Sequence, residues 1–447
     1  MTGALSIALA TLTGLAIVLG LDPRARGSRL IALAFPFGIS ACALALGILS
    51  AIGVPWSRAS VLTATGVLLV PAAAAAIVRV RGAEGSEPSG GRTSVAAWLV
   101  IATVGVLVLG HAIYASLAPP GEWDFWAIWG LKGRVFHEAA AIDWAWLERP
   151  ANAFAHPDYP LLVPLAFDFV AALARSWPER ELGLLFSAFA GSVLLFVGAH
   201  LREQSASPLL AAVGGLALAG PVLNLPAGLG LADLPLLVFG SVALLELRSG
   251  LVDGRSERFP VAAAALACAA MTKNEGIALV VAAAAAILVT GGARRWCRLA
   301  VVVPAGLAAA GWIALRSVHG LGTDLFLGDA VARAAGAAGS LPVVLRALME
   351  NPPRYPLFWI CAALAIAVAG PRRLMRERFL LVAVGLQLAF FLAAYLVTPH
   401  DVVWHIASSW PRLLGQLVVP IAFVALSFAT EPLGRLSRGV ITGGSSN

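Results

Sequence analysis

Tyr159-Pro160-Leu161-Leu162-Val163-Pro164-Leu165-Ala166-Phe167-Asp168-Phe169-Val170-Ala171-Ala172-Leu173-Ala174-Arg175-Ser176 is the stretch on which the topology of this chain turns. It is apolar and close to the ~20 residues that a helix needs to cross a bilayer. It also carries Asp168 and Arg175 and starts on Tyr-Pro, a poor beginning for a helix. The basic residues decide between the two readings. If the stretch does not cross, the loops on the side of Arg24, Arg26 and Arg29 also hold Arg79, Arg81, Arg202, Arg248, Arg255, Arg258, Arg294, Arg295, Arg298, Arg372, Arg373 and Arg376. If it crosses, every Arg-rich loop after it moves to the other side, against the positive-inside rule. The stretch is therefore expected to dip into or lie along the membrane within one long external loop, 118–180.

Composition agrees with a membrane setting. Of 447 residues, 60% are hydrophobic and 12% charged, and the mean hydropathy is +0.87, whereas soluble domains carry about 25% charged residues. The fold class expected is an all-α polytopic membrane protein of about thirteen transmembrane helices. The expected organisation is a three-helix membrane extension over 1–93, a catalytic membrane module over 94–430 and a cytoplasmic tail over 431–447. A second external loop is expected over 318–355, with Asp324 and Asp329 among its charges. The net charge of +7 reports orientation, with no implication of nucleic acid as a partner. The first apolar run lacks a basic segment before it and has Arg24, Arg26 and Arg29 after it, the pattern of an uncleaved span whose N-terminus is outside. Cys42, Cys268, Cys297 and Cys361 lie away from the candidate external loops, which argues against a disulfide framework.

The spans are nearly free of ionisable groups, with Glu246 at a cytoplasmic end and Arg316 at an external one. An ion path or proton relay would need charges inside the membrane, so chemistry is expected at the outer boundary. The external loop opens with Pro119-Pro120-Gly121-Glu122-Trp123-Asp124-Phe125-Trp126. Asp124 or Glu122, fixed just outside the bilayer, suits a general base; an N-cap on a helix starting at Phe125 is the plain alternative for Asp124. Trp123, Trp126 and Trp129 have the spacing of one helical stripe, an interfacial belt from which Trp126 could stack on a sugar. The only lysines, Lys132 and Lys273, fall on the external side, where an ammonium binds phosphate as a point charge or reaches lipid headgroups. Arg412, near His405 and Trp410, suits an anionic phosphate. His156 and Tyr159, in His156-Pro157-Asp158-Tyr159-Pro160-Leu161, and Asp233 at the start of a later span complete the candidates, with capping the plain alternative for Asp233. His137, His156, His400 and His405 show no spacing diagnostic of a divalent metal.

Taken together, these motifs resemble the GT-C fold of membrane glycosyltransferases, the class that includes protein O-mannosyltransferases and lipid A aminoarabinose transferases. The likeness covers roughly 94–430. It rests on Asp124 soon after a span, on the His156–Leu161 element, on Asp233, and on Thr272-Lys273-Asn274-Glu275-Gly276. Three preceding apolar runs and the Asp158-Tyr159 insertion between the prolines depart from the family pattern. The resemblance implies sugar transfer from a polyprenyl-phosphate donor to a hydroxyl of a glycan, lipid or protein acceptor, on the extracytoplasmic face of the plasma or inner membrane. Asp124 or Glu122 would be the base; Lys273, Arg412 and Lys132 would hold the donor phosphate. His156, Tyr159, Asp233, Glu275, His405 and Trp126 would line the substrate. A lipid-linked sugar flippase without chemistry, or a non-catalytic subunit, are the competing expectations.

Overall fold

The first two apolar runs are joined through their smallest residues. α1 (Thr2–Leu21) and α2 (Gly27–Ala51) meet where Gly14 faces the backbone of Ala34 and Gly38 faces that of Ala10. A Cβ on either glycine would fall 1.7 Å from the facing carbonyl oxygen. Lipid tails give helices no hydrophobic reason to associate, so close backbone approach at small residues carries the contact. The computed structural model describes residues 2–82, 94–204, 207–223, 229–322, 333 and 337–428. The linker around 83–93, part of the turn before Asp233, Asp324, Asp329 and the expected tail 431–447 lie outside the described residues.

Among the described residues there are helices and no strands. Among the described residues, eight helices are long and apolar enough to cross a membrane. They are α1, α2, α3 (Arg58–Gly82), α4 (Val95–Leu117), Glu179–Gln204, Asp233–Val252, Gly292–Val318 and Arg378–Leu396. A ninth candidate is broken: Val402–Gly415 and Val418–Phe428 meet at a 48° bend. The apolar runs near 207–223, 259–272, 276–291 and 356–370 form shorter helices, Pro208–Leu223, Phe259–Ala270, Asn274–Thr290 and Pro356–Ala367.

The stretch that decides topology becomes a short helix. After α4 come a π-helical turn (Phe125–Trp129), α5 (Gly130–Ala139), α6 (Trp144–Leu147), a 3-10 turn (Pro150–Ala155) and α7 (Leu162–Ala174). Thirteen residues span about 20 Å, short of the ~30 Å hydrocarbon layer. Twelve of them are buried, and α7 packs on α1, α2, α3 and α5. It is a wedge inside the protein, with no face left for the membrane surface.

Behind it follow α8 (Glu179–Gln204), α9 (Pro208–Leu223), α10 (Asp233–Val252), α11 (Phe259–Ala270) and α12 (Asn274–Thr290). α10 is the buried axis, and each end carries a polar cluster. Near its C-terminal end, Glu246 accepts from Arg29 (2.8 Å) and Arg258 (3.2 Å). Arg29 also reaches Asp22 (2.6 Å), and Arg248 reaches Glu377 (2.6 Å) and Asp253. Breaking one partner out of such a buried pair typically costs about 3–5 kcal/mol, so this network fixes the relative position of the helices that it joins. Asp233 stands at the other end.

Candidate functional site

The Thr272–Gly276 turn shows why its residue types are needed. α11 ends at Ala270 and α12 begins at Asn274, with Lys273 extended between them (φ −161°, ψ 159°). A Cβ on Gly276 would sit 1.8 Å from the Ala269 carbonyl oxygen, so only glycine lets α12 fold back this closely. The Gly276 amide closes the turn onto the Lys273 carbonyl (2.9 Å), and the Thr272 hydroxyl donates to the Cys268 carbonyl (2.7 Å). The buried Lys273 ammonium then lies 2.8 Å from Glu275 Oε1 and 3.3 Å from Asp233 Oδ1. Burial lowers its affinity for a proton, but Asp233 and Glu275 outweigh that and hold its pKa above the ordinary lysine value.

Asp124 reaches the same place from the opposite side. The side chain of Phe125 is clasped between Gly130 and Gly230, where added Cβ atoms would lie 2.7 and 2.5 Å from its ring; Gly230 is also left-handed (φ +103°). With Phe125 pinned, the Asp124 carboxylate accepts from Arg412 Nη2 at 2.6 Å and makes no capping bond to the turn that it precedes. Asp233 does not cap α10 either. Its Oδ2 accepts from Arg412 Nε (3.2 Å) and Nη2 (2.9 Å), and its Oδ1 from Gln416 Nε2 (2.8 Å) and Lys273. Arg412 and Gln416 flank the break after Gly415, where the helix gives way to a turn. Such breaks at membrane depth are tolerated where protein buries them, and this one delivers a guanidinium and an amide to one carboxylate. Gln387, an amide midway along Arg378–Leu396, donates to the Glu275 carbonyl (3.1 Å).

A stacked wall borders this cluster. Trp129, Tyr159 and His156 lie ring on ring, with centroids 5.3 and 4.8 Å apart. Burial raises the Tyr159 pKa, Glu275, Asp158 and Asp124 raise it further, and Arg412 only partly opposes them, so the phenol stays protonated. Asp158 ties the wall to the Lys273 turn: its Oδ2 accepts from Asn274 Nδ2 (2.9 Å), and its carbonyl from Trp312 Nε1 (2.9 Å).

The structure thus brings Asp124, Asp233, Lys273, Glu275 and Arg412 together, with Tyr159 and His156 alongside. It leaves other candidates apart. Lys132 is fully buried, donates to the His156 carbonyl (2.9 Å) and lies 4.9 Å from the Trp129 ring centroid. It braces the wall from behind and is not open to a phosphate. Burial, partly opposed by Asp158, pulls its pKa down to about 7. The Glu122 carboxylate has no polar partner among the described residues, so Asp124 is the acid facing the cations. His405 bonds Thr398 (2.7 Å) and packs edge-on to Tyr395. The single tryptophan stripe does not form, because the π turn changes the angular step: Trp123 is 77% exposed, Trp126 47% and Trp129 0%. Among the described residues, no three His, Cys, Asp or Glu side chains are placed to hold a metal ion. Sequence reasoning missed Gln416 and Gln387, although each is a solitary amide in an apolar run.

Compared with family models, with curated proteins and with solved structures, the chain matches none of them.

Proposed function

We propose that this protein is a GT-C-type membrane glycosyltransferase that moves a sugar from a polyprenyl-phosphate donor to an acceptor hydroxyl. The observation that carries the reading is one guanidinium, Arg412, shared between a fixed carboxylate, Asp233, and a more accessible one, Asp124, with Lys273 adjoining. Three carboxylates (Asp124, Asp233, Glu275) meet two cations here, and the cations are what a departing phosphate needs. In the reaction, Asp124 takes the acceptor O–H proton while the acceptor oxygen bonds to the anomeric carbon. The bond from that carbon to the phosphate oxygen breaks, and its electron pair leaves with polyprenyl phosphate towards Arg412 and Lys273. The leaving group needs no added proton, so one base suffices, and a single displacement inverts the anomeric centre. The Tyr159 hydroxyl is a neutral donor for the sugar.

The cluster lies at the end of α10 remote from the Arg-rich ends of α2, α8 and α11. By the positive-inside rule this supports a site at the extracytoplasmic face of a plasma or inner membrane, and we propose that it belongs to a bundle of about thirteen membrane segments. The flippase reading is less well supported, since α10 between Asp233 and Glu246 offers Ser241 as its only polar side chain. Purified protein with a panel of radiolabelled polyprenyl-phosphate sugars and a membrane glycan extract tests the proposal. Transfer that is lost in Asp124→Asn while polyprenyl phosphate still raises the thermal midpoint is expected. Full transfer by Asp124→Asn, or movement of donor across vesicles without product, would overturn it.

A further inference from the structure

At the other end of the molecule, α4, α8 and α9 enclose a groove of about 500 Å³, within the ~300–1,000 Å³ range of ligand pockets. Its lining is apolar apart from Ser28 and Arg202. Gly105 on one wall and Gly198 on another open it, since a Cβ at either would meet nothing within 4 Å. The glycines therefore do not serve helix contact, as Gly14 and Gly38 do. Trp98, in the first turn of α4, and Arg202, in the last turn of α8, stand at its mouth, at the end of the bundle opposite Asp124.

Charge identifies the occupant. At this end Arg29, Arg248 and Arg258 are each paired with carboxylates, and Glu203 beside the groove is bound by Arg255 and Arg258. The exposed guanidinium of Arg202 has no polar partner among the described residues. A guanidinium is shaped to hold phosphate oxygens in a fork, an indole favours the headgroup level of a bilayer, and the groove below runs into the apolar layer. We infer that the groove is a binding site for one anionic glycerophospholipid of the leaflet at the Arg-rich end, with the phosphate on Arg202 and an acyl chain between Gly105 and Gly198. The site is independent of the sugar-transfer reading.

The test is native mass spectrometry of the full chain released from nanodiscs of phosphatidylcholine containing a minor fraction of phosphatidylglycerol. Wild type is expected to retain one phosphatidylglycerol in preference to phosphatidylcholine. Arg202→Gln should cut that preference about tenfold, the loss of one charge-assisted contact. Gly198→Leu, whose Cβ meets nothing within 4 Å, should abolish retention of either lipid by filling the groove, and Gly105→Leu repeats the test from another wall should the first variant fold poorly. Equal retention of phosphatidylglycerol by wild type and Arg202→Gln would overturn the inference. So would a dimer that Gly198→Leu dissociates, because the groove would then belong to a second copy of the chain.

Discussion

Asp233→Asn should destabilise the protein far more than Asp124→Asn, although both carboxylates touch the same arginine. Asp233 is 1% exposed and accepts from Arg412 twice, from Lys273 and from Gln416. An asparagine there keeps one acceptor oxygen for Arg412 but turns its NH₂ towards Gln416 Nε2 and Lys273 Nζ, donor against donor. The buried Lys273 and the partly buried Arg412 then lose the anion that they share. Removing one partner of a buried pair costs about 3–5 kcal/mol. The Asp124 side chain is 20% exposed and accepts one bond, so its loss costs about 1–2 kcal/mol. Titration with sodium dodecyl sulfate, followed by loss of helical signal, reads both. Asp233→Asn should lower the midpoint clearly, and Asp124→Asn only slightly, while transfer disappears in the latter. The double variant Asp233→Asn/Arg412→Gln should lose less than the sum of the single losses, since coupled residues are not additive. A midpoint for Asp233→Asn within about 0.5 kcal/mol of wild type, or strict additivity in that cycle, would refute the electrostatic account.

Three further outcomes follow from single positions. Gly276→Ala drives a methyl group into the Ala269 carbonyl and should cost about 1–3 kcal/mol by overpacking, with transfer falling as Lys273 shifts; Gly66→Ala in α3, whose Cβ meets nothing within 4 Å, is the control, and equal behaviour of the two would refute the reasoning. Lys132→Met should gain on wild type most at low pH. The amine titrates near 7 when folded against 10.5 as the ordinary value, so between those values the unfolded chain holds the extra proton and wild-type stability rises with pH. The advantage of the methionine variant should therefore shrink by roughly 2–4 kcal/mol from pH 6 to pH 10, and a pH-independent gap would contradict it. Gly14→Ala, set against the Ala34 carbonyl, should loosen α1 from α2 and cost about 1–3 kcal/mol, seen as faster proteolysis of the N-terminal helices; unchanged proteolysis would show that this contact is not close.

The shortness of α7 was legible in the Tyr159-Pro160 start and the charges of Asp168 and Arg175, which leave room for a helix of only thirteen residues. The Thr272–Gly276 turn was legible for a local reason: the lysine, the acid and the glycine act within five residues. What remained hidden depends on distance or on irregular helix. Arg412 meets Asp124 across 288 residues, and apolar periodicity carries no record of such a pairing. Capping was the plain reading of both Asp124 and Asp233, and it gave way because salt bridges from a remote helix outcompete a local amide for a buried carboxylate. The break after Gly415 and the π turn at Phe125–Trp129 change which side chains share a face. The tryptophan stripe dissolved there, and Gln416 entered the site there.

The unequal hold of Arg412 on its two carboxylates bears on how a base can work beside an arginine. A base must be free to face the acceptor hydroxyl, which would count against Asp124 if its pair with Arg412 were permanent. The geometry makes it the exchangeable one. Asp233 binds Arg412 through two nitrogens and is itself held by Gln416 and Lys273, whereas Asp124 has a single Nη2 contact and partial exposure. A phosphate arriving from solvent competes first for the nitrogen shared with Asp124, and the Arg412–Asp233 pair survives the exchange. In the proposed reaction the donor therefore frees its own base: Asp124 is engaged by Arg412 while the site is empty and is released to face the acceptor hydroxyl once the phosphate takes its place on Arg412. Glu275 does the same service on the other side, holding Lys273 in reach of the phosphate until one is bound. On this logic Arg412→Lys fails for a reason beyond charge, because a single ammonium cannot keep Asp233 while it trades Asp124 for phosphate.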